Sequence, residues 1–172
     1  MREMLRTLYG YQAWANNELF DRLALLDQQT QAAELHTALR LVSHHHVVAE
    51  IFAAHLSGAR QHHTSDNTPE TPTLEALRAS VSATDGWYQQ YVLDVTDGQL
   101  DEAVAFTFTD GDKGSMTRHE MLQHVALHSA IHRGEVSRIL VQLSITPPWD
   151  TLAVYLHRTQ PARREQELRP TG

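Results

Sequence analysis

The chain has 172 residues, 41% of them hydrophobic, and a formal net charge of −7 with histidine neutral. That is enough chain for one sizeable core, and it contains no cysteine. Disulfides, thiolate zinc sites, iron–sulfur clusters and a cysteine nucleophile are therefore excluded together, and any thiol chemistry needs a thiol supplied by a small molecule.

Four long segments read as helices. The first spans about Arg2 to Leu26, where Leu5, Leu8, Tyr9, Gln12, Leu19, Leu23 and Leu26 form a mostly apolar stripe at helical spacing. The second spans about Ala32 to Ser57 and is closed by Gly58. The polar, proline-bearing stretch ARQHHTSDNTPETPT that follows reads as a loop. The third helix spans about Leu74 to Val92, with Thr73 as its cap. Residues Ala103 to Thr109 carry β-branched and aromatic side chains, and the turn DGDKG after them predicts a small hairpin. The fourth helix starts at the capping box Thr117/Glu120 and runs to about Leu143, before Pro147-Pro148. TLAVYLH reads as a last helical turn or a short edge element, and RTQPARREQELRPTG as a disordered polar tail.

The expected architecture is all-α: an up-down four-helix bundle over residues 1–157, with a β-hairpin between helices three and four, and a tail at 158–172. Such bundles build metal sites from inward-facing side chains. No apolar run approaches the roughly 20 residues that span a bilayer. The opening MREMLRTLYGYQAWANNELF is too polar for a signal peptide. No membrane partner is expected, and the location is expected to be cytoplasmic. Lys113 is the single lysine and no basic stripe follows a helix, so no nucleic-acid partner is expected either.

Histidine carries the chemistry. There are twelve, with His44-His45-His46 in the second helix and His124, His128 and His132 at four-residue spacing in the fourth. Residues four apart share a helix face, and neutral imidazole is the commonest side-chain metal ligand. A single helical histidine is ordinarily a hydrogen-bonded core or surface residue; an inward H-x-x-x-H pair is what favours a metal. At about 100° per residue, Leu122, Val125, Val136, Ile139 and Leu143 define a stripe with His132 near its centre and His128 at its edge. His124 falls a step further out, toward Glu135. In the second helix, His46 points away from the apolar direction, and His44 and His45 flank it equally. His36, His55, His62, His63, His119 and His157 carry a structural or surface reading. The sequence has no G-x-S-x-G, no phosphate-binding glycine loop and no Glu-x-x-His of the di-iron type near the inward histidines.

Three stretches resemble the DinB superfamily, also called DinB/YfiT-like. They are YQAWANNELF, LVSHHHVVAEIFAAHLSG and HVALHSAIHRGEV. With the strand pair and the P-P-W-D-x-L-x-x-Y end, the resemblance covers about residues 1 to 157, and H-x-x-x-H-R-G is its most specific element. The chain departs from the family pattern at Ser43, at Ala49-Glu50 and at Glu135. The resemblance implies a divalent metal, zinc or nickel, held by His44, His128 and His132. It also implies a homodimer and a small-molecule substrate, with water or an external low-molecular-weight thiol as nucleophile in S-transferase or hydrolase chemistry. Glu50 and His124 are candidates to orient ligands or move a proton, and Arg133 and Gly134 to serve helix packing and a carboxylate partner. The competing expectation is a non-catalytic metal-binding or stress-response interaction module.

Overall fold

Helices α1 (Arg2–Leu23), α2 (Ala32–Ser57), α3 (Leu74–Asp94) and α5 (Arg118–Gln142) dominate the computed structural model, which describes residues 2–164. The short helices α4 (Asp97–Leu100) and α6 (Leu152–Thr159) complete the helical set, followed by a 3-10 turn at Pro161–Arg164. Between α4 and α5, strands β1 (Ala103–Thr107) and β2 (Lys113–Thr117) pair antiparallel, Ala103 opposite Thr117 and Thr107 opposite Lys113. The chain is thus mostly helical with one small hairpin, as the patterning requires. No helix is long and apolar enough to cross a membrane among the described residues.

The element ends follow their capping chemistry. Thr73 accepts from the Ala76 N–H to start α3. At Thr117 both halves of the expected capping box are made, the side chain accepting from the Glu120 N–H and the Glu120 carboxylate accepting from the Thr117 N–H. Gly58 ends α2 in the left-handed region, at φ 70°, returning its N–H to the Ala54 and His55 carbonyls. The first helix stops at Leu23, short of the expected Leu26, because a tight turn follows: Leu25 N–H and Leu26 N–H bond three residues back. Helix α4 was not expected; a second capping box, Thr96 with Gln99, makes it possible in four residues. The stretch after Pro147-Pro148 forms α6, which passes the boundary expected at 157. The remainder of the expected disordered tail, residues 165–172, lies outside the described residues.

Packing pairs α1 with α3 and α5, and α2 with α5 and α3. One cluster at one end joins Leu5, Tyr9, Phe52, Leu56, Tyr88, Phe106 and Leu122. A second, at the other end, joins Leu19, Phe20, Leu39, Val42, Val81, Val136 and Leu140. A fully buried side chain of this size contributes about 1.5–3 kcal/mol, so these clusters fix how α2 lies on α5. Between them sits a buried polar layer. Arg133, 1% exposed, donates from Nε to Asp150 Oδ2 at 2.7 Å and from Nη1 to Asn16 Oδ1 at 3.3 Å. Tyr11 donates to the other oxygen of Asp150, and Asn16 donates to both oxygens of Asp85, at 3.1 and 2.9 Å.

That layer corrects the helical wheel of α5. Its buried face runs through Leu122, Val125, Ala126, Ser129, Arg133, Val136 and Leu140. The centre of the stripe is therefore Ser129 and Arg133, not His132. Counting only apolar residues misplaced it, because two polar residues with internal partners occupy core positions.

Candidate metal centre

Moving the stripe by one residue puts His124, His128 and His132 together along one edge of α5, each half-buried. The edge faces α2, and His44 projects toward it. The His44 ring centroid is 5.0 Å from that of His128 and 4.7 Å from that of His132, and the last two are 4.5 Å apart. Each of the three offers one ring nitrogen within 4.8 Å of the other two. Among the described residues this is the one group of three or more potential ligands that could hold a metal ion.

The hydrogen bonds fix which nitrogens are free. His44 Nδ1 lies 2.8 Å from the backbone carbonyl of Asp66. A carbonyl only accepts, so Nδ1 carries the proton and Nε2 of neutral His44 keeps its lone pair. His132 Nδ1 lies 2.7 Å from Glu135 Oε2, which by the same argument leaves His132 Nε2 bare. That nitrogen is 3.1 Å from His128 Nε2. In a tetrahedral site with metal–nitrogen bonds of 2.0–2.1 Å, two ligand nitrogens lie about 3.3 Å apart, so this spacing already suits a shared cation. Without a cation, His128 Nε2 must donate its proton to His132; with one, that proton moves to Nδ1. His128 Nδ1 is buried with no hydrogen-bond partner. The donor set thus fits a divalent ion held by imidazole nitrogens, two of them oriented by the acceptor behind the ring.

The electrostatics favour neutral imidazole. Burial, and then the proximity of His132 and His44, pushes the His128 pKa down to about 4. Burial alone lowers His124. A neutral ring is the form that binds a cation.

The position of Asp66 is set by a loop strapped to α2. Arg40 donates to the Thr68 carbonyl at 2.6 Å, Asn67 donates to the Arg40 carbonyl at 3.0 Å, and buried Ser43 bonds Thr68 Oγ1 at 2.9 Å. The residue before His44 therefore anchors the segment that orients His44.

The other sequence candidates fall as follows. His45, left level with His44 by periodicity, is buried at 3% exposure, its ring stacked parallel to His132 at 6.4 Å. Burial, then the charge of Arg133, holds its pKa well below the ordinary value. His46, expected to point outward, is buried against α3 and bonds Ser80 Oγ at 2.8 Å; α2 buries two faces, one on α5 and one on α3. Glu50 is not brought to the three histidines. Six residues beyond His44 is about 600° of helix, which turns it away, and it pairs with His63 at 3.0 Å and His46 at 3.5 Å. His63, read as a bare loop residue, is thereby engaged. His124 does lie beside the group, stacked on His128 at 5.5 Å and tilted on Phe52 at 4.8 Å.

Two contributors escaped the sequence reading. Glu135 orients His132, and its signal was available: a carboxylate three residues after a histidine on one helix can reach it. The Asp66 carbonyl orients His44, and no side-chain pattern announces a backbone acceptor from a loop.

Beside His44 and His128 a cavity of about 210 Å³ opens, walled by α2, α5 and the end of β1.

The DinB family model matches residues 1–167. The chain is 25% identical to Protein DinB of Bacillus subtilis (strain 168) over 174 residues, covering 93% of this chain and 98% of that protein. No solved structure gives a significant match.

Proposed function

The chain belongs to the DinB family, and on that premise we propose that it is a metal-dependent enzyme of small-molecule chemistry, with His44, His128 and His132 as the metal ligands. The observation that carries the reading is that three imidazoles each bring a ring nitrogen within 4.8 Å of the other two, while Glu135 and the Asp66 carbonyl hold two of the rings from behind. Three ligands leave at least one position open, the mark of a catalytic rather than a structural site. When bound there, a divalent cation lowers the pKa of bound water toward neutrality, or deprotonates a bound thiol outright. Zinc or nickel suits three imidazoles, and a thiol, if used, comes from a small molecule.

The protein's own part is orientation and access. Glu135 and the Asp66 carbonyl keep His132 and His44 in the tautomer with Nε2 free. His124 stacks on His128 and lines the cavity, where it can exchange a proton with a bound molecule. The four long helices are read as an up-down bundle carrying the site between α2 and α5, within one domain that takes in α6. A homodimer is proposed through α5, where Leu127 and Ile131, four residues apart, are 67% and 62% exposed. Leu127→Glu with Ile131→Glu should give a monomer by light scattering; an unchanged mass refutes that interface.

The alternative, a non-catalytic module whose metal props up the fold, needs a closed site. Here the His44 side chain is 24% exposed and the cavity adjoins it, which supports the catalytic reading. The test is addition of a simple thiol to nickel-loaded protein. A thiolate-to-metal absorption band, with little loss of thermal stability on chelation, is expected. Chelation that unfolds the chain, with no band, would favour the propping role.

A further inference from the structure

The cavity beside the three histidines has a composition of its own. His44 and His128 close one end; Val48, Ile51 and Phe52 from α2 and Phe106 and Phe108 from the hairpin form an apolar wall. No lysine or arginine lines it, and its single carboxylate is Asp66. The wall is fixed by ring contacts. Phe52 and Phe106 meet edge-on at 5.8 Å, and Phe106 and Phe108 at 4.8 Å; such pairs hold a defined geometry. Gly114, opposite Phe106 in the hairpin register, makes room for both rings. A Cβ there would lie 2.7 Å from Phe106 Cζ and 2.9 Å from Phe108 Cε2. Phe108 remains 49% exposed, which puts it at the rim.

Size limits the occupant. An apolar cavity of about 150 Å³ takes benzene, while drug-sized ligands need about 300 Å³ or more. At about 210 Å³ this cavity suits one ring with a short substituent. Charge limits it further: no lysine or arginine lines the wall, so away from the metal end nothing pairs with an anionic substituent.

Resting on the reading of the three histidines as a metal centre, we propose that this cavity is the substrate pocket for a small molecule built on a single apolar ring, with no charged group away from the donor atom at the metal end. Its one donor atom points at His44 and His128, and Phe106 and Phe108 determine specificity. The hairpin is then part of the site.

The test uses the full chain, metal-free and zinc-loaded, with toluene, benzyl alcohol, benzoate and benzyl mercaptan as probes followed by amide chemical shifts. In metal-free protein, toluene and benzyl alcohol should shift amides near Phe52, Phe106 and Gly114. Benzoate should bind at least tenfold more weakly than benzyl alcohol. Gly114→Ala, which displaces the rings, and Val48→Phe, which fills the cavity from α2, should each weaken toluene about tenfold. In zinc-loaded protein, benzyl mercaptan should bind more than tenfold tighter than toluene, and removing the zinc with a chelator should abolish that advantage while leaving toluene binding intact. In metal-free protein, toluene shifts elsewhere, or benzoate binding as well as benzyl alcohol, overturn the pocket whatever the metal does. Ring binding as described in a chain that takes up no zinc leaves the pocket standing and overturns the metal centre instead.

Discussion

Removing the Glu135 side chain isolates the support behind one ligand. Its Oε2 accepts a hydrogen bond from His132 Nδ1–H at 2.7 Å, which fixes the ring and keeps Nε2 facing His128. Loss of such a partner typically costs 10–100-fold in metal affinity. The Glu135 side chain is 51% exposed, so water replaces it in part, and Glu135→Ala should fall near the lower bound, about tenfold or ~1.4 kcal/mol. Asp66→Ala is the informative control. His44 donates to the backbone carbonyl of Asp66, while the carboxylate is 3.7 Å away and 64% exposed, so the carbonyl survives the substitution and the change should be under about twofold. Glu50→Ala should change nothing, since Glu50 pairs with His46 and His63. The assay is competition for zinc against a chromophoric chelator at fixed pH. Wild-type affinity in Glu135→Ala, or a larger loss in Asp66→Ala than in Glu135→Ala, would refute the reasoning.

Three further predictions concern the core. Arg133→Met leaves Asp150, 15% exposed, without its cation and should cost about 3–5 kcal/mol in urea unfolding; the added Asp150→Asn should restore part of it, and a loss below about 1 kcal/mol would contradict the buried pair. Burial pushes the Asp85 carboxyl up to about 6, against the hydrogen bonds from Asn16 and the charge of Arg133. The folded chain then binds more protons than the unfolded one between about pH 4 and 6, so wild type should lose stability relative to Asp85→Asn across that rise, by up to about 3 kcal/mol; parallel profiles would refute this. His45 shows the opposite sign. Its folded pKa is depressed by burial and by Arg133, so its contribution is whole above the unfolded value of about 6.5 and is lost as pH falls below it; metal-free wild type should weaken more steeply from pH 7 to 5 than His45→Leu, and equal slopes would overturn that assignment.

The legible parts of this chain were those with local chemistry. Thr117/Glu120, Thr73 and Gly58 named their helix ends because caps act within a few residues, and β-branched and aromatic residues followed by a turn named the hairpin. Spacing alone put His128 and His132 on one helix face, and the family pattern chose His44. What sequence could not give arose from distant partners. Arg133 sits at the centre of α5 only because Asp150, Asn16 and Tyr11 meet it there, so the apolar wheel was rotated. His46 is inward because α3 presents Ser80, and His44 is oriented by a carbonyl 22 residues on.

The most direct measurement is metal content per chain in untagged protein after incubation with zinc or nickel, for wild type and for His44→Ala, His128→Ala and His132→Ala. The account predicts about one equivalent in wild type and almost none in each variant, with all four folded by circular dichroism. No metal in wild type, or undiminished metal in the three variants, would contradict it.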